Sequence, residues 1–340
     1  MENWQEVYAS AKQRCHKCRC CPQCNGAACR GETPGPGGKG SGNAFVRNID
    51  MLKQVFITMD TISENTEIST QTDFFGYEVS LPVYAAPISG IRLNYGADLD
   101  DLTYTQELVE GCLAAGSLAF SGDGMYDEMF CGPMDIIAKH QGYGIPTIKP
   151  WSESDMEWRI KLAKEGKALA IASDIDASGL TNLRNSVTPV GFKNVEELKK
   201  IKKMAEMPVI LKGILSVKGA MKALEAGVDG IIVSNHGGRV LDDCLSGIEV
   251  LEDIVKAVDG RMKIFVDGGF RNGNDVFKAL ALGADGVLIG RPISHAVIGD
   301  GANGVKLYLE KIQLELKEAM AMAGCKTIKD IQREHVCVKF

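Results

Sequence analysis

Eight short apolar runs, separated by stretches of helical period, constrain this chain more than any other feature. They are "VYAAP" (83–87), "SLAFS" (117–121), "PTIKP" (146–150), "ALAIASD" (168–174), "PVILK" (208–212), "GIIVSN" (230–235), "KIFVDGG" (263–269) and "GVLIG" (286–290). Each has strand length, and several carry the Gly, Pro or polar residues that end a strand. Between them lie helix-like segments such as "NVEELKKIKKMAEM" (194–207), "VKGAMKALEAG" (217–227) and "NDVFKALALG" (274–283); the last two close on a glycine suited to a helix C-terminus. Eight strand–helix units predict an α/β fold, a (β/α)8 TIM barrel. At 340 residues the chain accommodates that barrel over 51–340 with a short extension over 1–50.

Composition serves mainly to exclude. No apolar run reaches the length of a membrane span. The net charge is −6 with dispersed basic residues, which argues against nucleic acid as a partner. The first residues, "MENWQEVYASAKQRC", lack an apolar stretch after a basic start, so a cytoplasmic chain is expected.

In such a barrel the chemistry sits at the C-terminal strand ends. Here the interiors of the runs are almost purely apolar, while their ends carry Ala86 and Pro87, Ser121, Lys149, Asp174, Lys212, Ser234 with His236, Asp267 with Gly268 and Gly269, and Gly290 with Arg291. Charges scattered without regard to function would fall at both ends. The asymmetry marks the mouth as a site.

Strands 4, 5 and 6 are neighbours in the predicted order, so Asp174, Lys212 and the His236 loop converge. A carboxylate beside an imidazole raises its basicity and fixes its tautomer, which makes His236 a candidate general base. Arg239 can hold a carboxylate through two parallel hydrogen bonds. Lys212 can stabilise developing negative charge or act as a Schiff-base nucleophile. At the ends of strands 7 and 8, Gly268, Gly269, Arg271, Gly290 and Arg291 suit a phosphate, the group that barrels often bind there. A phosphosugar, a nucleotide and a flavin mononucleotide all remain open at this level.

The stretches "LKGILS" (211–216), "SNHGGRVLD" (234–242) and "VDGGFRNGNDVFKALALGADGVLIGRP" (266–292) are similar to the FMN-dependent α-hydroxy acid oxidase and dehydrogenase family, which includes glycolate and lactate oxidases. The resemblance is close over about 208–292 and weaker over 80–207. It implies FMN as cofactor and the oxidation of a 2-hydroxy carboxylic acid, of the lactate or glycolate kind, to the 2-oxo acid, with hydride transfer to flavin N5. His236 resembles the base, Arg239 the carboxylate partner, Asp174 the acid supporting the histidine, and Lys212 the lysine beside flavin N1 and O2. Ala86, Pro87 and Ser121 fall where the family cradles the ring, and Gly269, Arg271, Gly290 and Arg291 where it grips the phosphate. Ser234, Asp267 and Gly268 complete the expected cofactor contacts. Relatives suggest a homo-oligomer, a tetramer.

The sequence also departs from that family. Its usual tyrosine near the chain start is missing from the Gly-rich loop (31–45), strand 3 carries Thr147-x-Lys149 in place of Gln-x-Tyr, and the loop after strand 4 (175–192) is short. Lys149 is therefore a candidate contact to the flavin or to a second acidic group on the substrate. Two other readings stay open: a non-redox FMN isomerase resembling type 2 isopentenyl diphosphate isomerase, and a flavin and metal module for electron transfer or redox sensing with a partner protein.

Six of the eleven cysteines fall between Cys15 and Cys29. Cys15, Cys18, Cys21 and Cys24 recur every third residue, the C-x2-C spacing with which thiolates converge on zinc or an iron–sulfur cluster. Free thiols in a tail are the alternative. The following "GETPGPGGKGSGNAF" reads as a loop, either ordered against the barrel or a flexible linker.

Overall fold

The computed structural model of the chain describes residues 1–64, 67–186 and 188–340. All eight apolar runs form strands: β1 (Val83–Ala85), β2 (Phe120–Ser121), β3 (Ile145–Ile148), β4 (Ile171–Asp174), β5 (Val209–Ile214), β6 (Gly230–Val233), β7 (Lys263–Asp267) and β8 (Gly286–Ile289). They pair in parallel in the order β1-β8-β7-β6-β5-β4-β3-β2. A parallel bridge between Ala85 and Ala119 closes the ring. The expected (β/α)8 barrel is therefore observed.

Side chains that point into the barrel, among them Tyr84, Phe120, Ala172, Ile210, Phe265 and Leu288, pack into one buried cluster with Phe74. Phe74 arrives from a separate hairpin, Thr72–Phe74 against Tyr77–Val79. Its ring centroid lies 5.0 Å from that of Tyr84 and 5.6 Å from that of Phe265. The neighbouring Phe75 ring approaches Gly230, the first residue of β6, so the hairpin stops the N-terminal end of the barrel. Among the described residues, the C-terminal mouth is the barrel end left open to a ligand.

The first fifty residues are built into the barrel's surroundings. Helix α1 (Trp4–Arg14) buries Val7 and Ala11, and Val7 sits against the long helix α6 (Arg291–Met322) that follows β8. Helix α2 (Asn43–Leu52) lies beside the mouth and buries Phe45, Asn48, Ile49 and Leu52. Residues 35–38 of the Gly-rich stretch are buried, so that stretch is a loop ordered against the barrel. The three helical segments quoted from the sequence appear as α3 (Val195–Ala205), α4 (Val217–Glu225) and α5 (Gly273–Ala281). A capping box formed by Asn194 and Glu197 starts α3. Part of the loop 175–192 lies outside the described residues, at position 187.

Candidate active site at the barrel mouth

The mouth holds a cleft of about 320 Å³ whose lining includes Ala86, Pro87, Lys149, Lys212, His236, Arg239, Asp267, Gly268, Gly269, Arg271, Gly290 and Arg291. Most of the expected site residues are thus brought together. Ser121, Ser234 and Asp174 are buried at the strand ends around it.

His236 follows β6 in a short turn and takes a left-handed backbone, φ 57°. Its N–H donates to Ser234 Oγ at 3.0 Å. Asn235 is locked beneath it by a reciprocal amide pair with Asn48 of α2, at 2.9 and 3.0 Å. The imidazole Nδ1 lies 2.9 Å from Asp176 Oδ1. The carboxylate hydrogen-bonded to Nδ1 is thus Asp176, two residues beyond the Asp174 that the family likeness indicated. The chain leaves β4 in a tight turn over Ile175–Gly179, which swings Asp176 inward. Gly213 of β5 makes room for it, since a Cβ there would meet Asp176 Cγ at 2.3 Å. Asp174 instead bonds Lys149 Nζ at 2.8 Å and stands 4.0 Å from His236 Nε2. Lys149 is therefore neutralised by a neighbour rather than offered as an open cation.

Burial alone would raise the Asp176 carboxyl, but His236 and Lys212 outweigh it and hold the group below the usual carboxylate value. The unfolded chain, with an ordinary pKa of about 3.9, then binds the proton more readily than the folded one. The stabilisation is complete above that ordinary value and is lost as pH falls through the lowered folded value. We expect Asp176→Asn to flatten the acid limb of the stability profile, measured as denaturation midpoints between about pH 5 and 2. An unchanged acid limb would mean that Asp176 carries no such charge coupling.

Lys212 is buried with Nζ 3.2 Å from Ser234 Oγ and 3.4 Å from Asp267 Oδ2. Desolvation opposes its charge, yet Asp267, Asp176 and Asp174 prevail and raise its pKa, so it stays a cation. A raised pKa favours the ammonium over the neutral amine that Schiff-base chemistry requires.

Arg239 presents the opposite balance. It donates to Gly35 O at 2.6 Å and to Asn94 Oδ1 at 2.9 Å. Arg291 donates to Pro36 O at 2.8 Å, Gly37 O at 3.1 Å and Gly237 O at 3.2 Å, and stacks on Phe45 with its guanidinium carbon 3.7 Å from the ring centroid. Among the described residues neither guanidinium has a carboxylate partner within 4.0 Å. Burial, with Arg291 adding to it, pushes Arg239 down to about 10. A pair of half-buried positive charges held only by neutral oxygens favours an anion.

Some motif residues also serve the fold. Arg271 spends its guanidinium on the carbonyls of Cys24, at 3.1 and 2.7 Å, and Phe270, at 2.7 Å. Gly269 is needed first for its neighbour, because a Cβ there would lie 2.3 Å from Asn48 O of α2. Asp176, Asn48 and Asn94 were not picked out from the sequence. A D-x-D pair at a strand end followed by Lys-Gly on the next strand is the only local signal for Asp176.

The residues present fit a flavin. Ser121 Oγ, Thr147 Oγ1 and Asp267 Oδ1 are buried with no hydrogen-bond partner in the protein. Each such group costs about 1–3 kcal/mol if left unmet, and a ring edged with carbonyl and N–H groups would meet them. In the cysteine segment, the thiols of Cys18 and Cys20 and the imidazole of His295 place their ligand atoms within 4.8 Å of one another, a group that does not include Cys15, Cys21 or Cys24.

The chain is similar to known proteins. The profile of a family described as FMN-dependent dehydrogenase matches residues 147–338. A 4-hydroxymandelate oxidase from Amycolatopsis orientalis is 33% identical over 87% of this chain and 90% of its own length. A peroxisomal (S)-2-hydroxyacid oxidase from Arabidopsis thaliana is 30% identical over 88% and 90%. Among solved structures, a mandelate oxidase with (S)-mandelic acid superposes with TM-score 0.79 at 28% identity, covering 100% of this chain and 99% of that one. A second, carrying a C4a-OH-FMN adduct, gives 0.74 at 31% identity over 89% and 94%.

Proposed function

Because the chain belongs to the FMN-dependent dehydrogenase family, we propose that it oxidises a 2-hydroxy carboxylic acid to the 2-oxo acid. The observation that carries this reading is the pairing of His236, whose Nδ1 is tied to Asp176, with the carboxylate-free Arg239 three residues on. With Nδ1 engaged, Nε2 is the atom left to take the substrate hydroxyl proton. Arg239 binds the substrate carboxylate and sets the α-carbon relative to that nitrogen. Bound FMN supplies the acceptor for the two electrons and the α-hydrogen. Ala86, Pro87, Ser121 and Ser234 hold the ring, and Lys212 keeps a positive charge beside it. The backbone at Gly268, Gly269, Gly290 and Arg291 holds the phosphate, and the Arg271 guanidinium, anchored on the Cys24 and Phe270 carbonyls, adds its positive charge to that end of the site. Lys149 acts on Asp174, within its ion pair, rather than on a second acidic group of the substrate.

By the same resemblance the enzyme is a homo-oligomer, and the cytoplasm is its expected location. Exposed Phe56, Met59 and Ile62 supply apolar surface for assembly, and no helix among the described residues is long and apolar enough to cross a membrane. A metal at the N-terminal cysteines also belongs to the reading.

The test is an anaerobic titration of the flavin-loaded enzyme with a panel of aliphatic and aromatic 2-hydroxy acids. The expected result is bleaching of the flavin absorption, with one equivalent of 2-oxo acid formed. If every member of the panel left the oxidised spectrum unchanged, the proposal would fail.

A further inference from the structure

The cysteine segment is not absorbed by the flavin site, and its geometry is specific. Cys18 Sγ lies 3.2 Å from Nε2 of His295, a residue 277 positions away on α6. Cys20 is fully buried and holds a left-handed backbone, φ 42°. Residues other than glycine seldom adopt that conformation unless their surroundings impose it. Here it belongs to a thiol turned inward beside Cys18 and His295. Cys15, also buried, sits with its thiol against that of Cys20. His295 is 1% exposed, lies edge-on to the rings of Tyr8 and Tyr95, and has no partner at Nδ1. Cys21 and Cys24, by contrast, are tied down by their backbones: Cys21 O accepts from Tyr8 Oη and Cys24 O from Arg271.

We propose that Cys15, Cys18, Cys20 and His295 bind one zinc ion in a closed tetrahedral site that clamps the N-terminal segment to α6. Three soft thiolates and an imidazole are a zinc donor set. With Zn–S of about 2.3 Å and Zn–N of about 2.0 Å, tetrahedral ligand atoms lie about 3.5–3.8 Å apart; the ligand atoms of Cys18, Cys20 and His295 already lie within 4.8 Å of one another, and Cys15, outside that group, closes in as the fourth donor on binding. A 4Fe–4S cluster places each thiolate on a separate iron, and a 2Fe–2S cluster divides them between two irons; either needs a wider ring of donors than one ion. Binding replaces three thiol protons by the metal, releases them to solvent and changes no oxidation state. Four protein ligands leave no open position, so the ion is structural. Its consequence lies in the placement of His295, four residues after Arg291: the metal fixes the helix end that carries one guanidinium of the mouth.

The experiment uses the full-length flavin-loaded enzyme purified without chelator. Metal analysis is expected to give one zinc per chain with no acid-labile sulfide. Cobalt replacing zinc should give tetrahedral bands at wavelengths beyond the flavin absorption. The Cys21→Ser/Cys24→Ser double variant should keep full zinc, while Cys20→Ser should lose it at least tenfold under chelator challenge. Should Cys20→Ser fail to fold, the double variant and the cobalt spectrum still decide. Iron with sulfide, a metal-free parent, a disulfide among Cys15, Cys18 and Cys20, or loss of zinc in the double variant would each overturn the assignment.

Discussion

Replacing His236 with glutamine should slow flavin reduction by a 2-hydroxy acid by about 10²- to 10⁴-fold, the range that a positioned general base contributes, while FMN stays bound. The prediction separates chemistry from assembly because His236 has two faces. Its Nδ1 side is structural, bonded to Asp176 at 2.9 Å. Its Nε2 side is the only part facing the reacting substrate in the proposed reaction. Glutamine can still bond Asp176 but cannot take a proton near neutral pH, so the turn and the cofactor should survive. The measurement is the single-turnover rate of anaerobic bleaching, alongside the FMN-to-protein ratio. A variant that keeps its flavin and is reduced within tenfold of the parent rate would remove His236 from the reaction. The isomerase alternative predicts no bleaching by hydroxy acids in the parent either, so the two enzymes measured together distinguish that outcome.

The barrel was readable because its signal is local. An apolar run of strand length flanked by Gly and Asp needs no partner to be recognised, and all eight such runs became strands. The strand-end chemistry followed from the fold's directionality, which is why Lys212, His236 and Arg239 were found. What escaped depends on rotations that sequence spacing does not encode. Asp174 and Asp176 are equivalent as letters. Which one reaches His236 is decided by the turn at Ile175–Gly179, by the room at Gly213 and by Lys149 claiming the other. Cys20 and His295, two members of the proposed zinc site, escaped for a similar reason. Every-third spacing suggested a self-contained set, but the chain reverses at Cys20 and turns that thiol toward His295, far away in sequence. Arg271 sits in a motif that reads as a phosphate grip, yet its guanidinium also holds the Cys24 carbonyl, a contact that only the folded N-terminal segment creates.

Lys149→Met should cost about 3–5 kcal/mol of stability, the penalty of leaving one member of a buried ion pair behind. The side chains of Lys149 and Asp174 are only 11% and 4% exposed and bond at 2.8 Å. The second oxygen of Asp174 already lacks a hydrogen-bond partner. Without the ammonium, that carboxylate loses the one close cationic partner it has among the described residues and bears its desolvation with His236 Nε2 4.0 Å away. The double variant Lys149→Met/Asp174→Asn removes both charges and should recover most of the loss, because a buried pair is worth little against a neutral replacement even though half a pair is costly. Urea midpoints of parent, both single variants and the double variant give the coupling through a thermodynamic cycle. A single variant within about 1 kcal/mol of the parent, with no coupling in the cycle, would mean that Lys149 does not compensate Asp174. The carboxylate opposite His236 would then have to be held by the substrate or flavin itself.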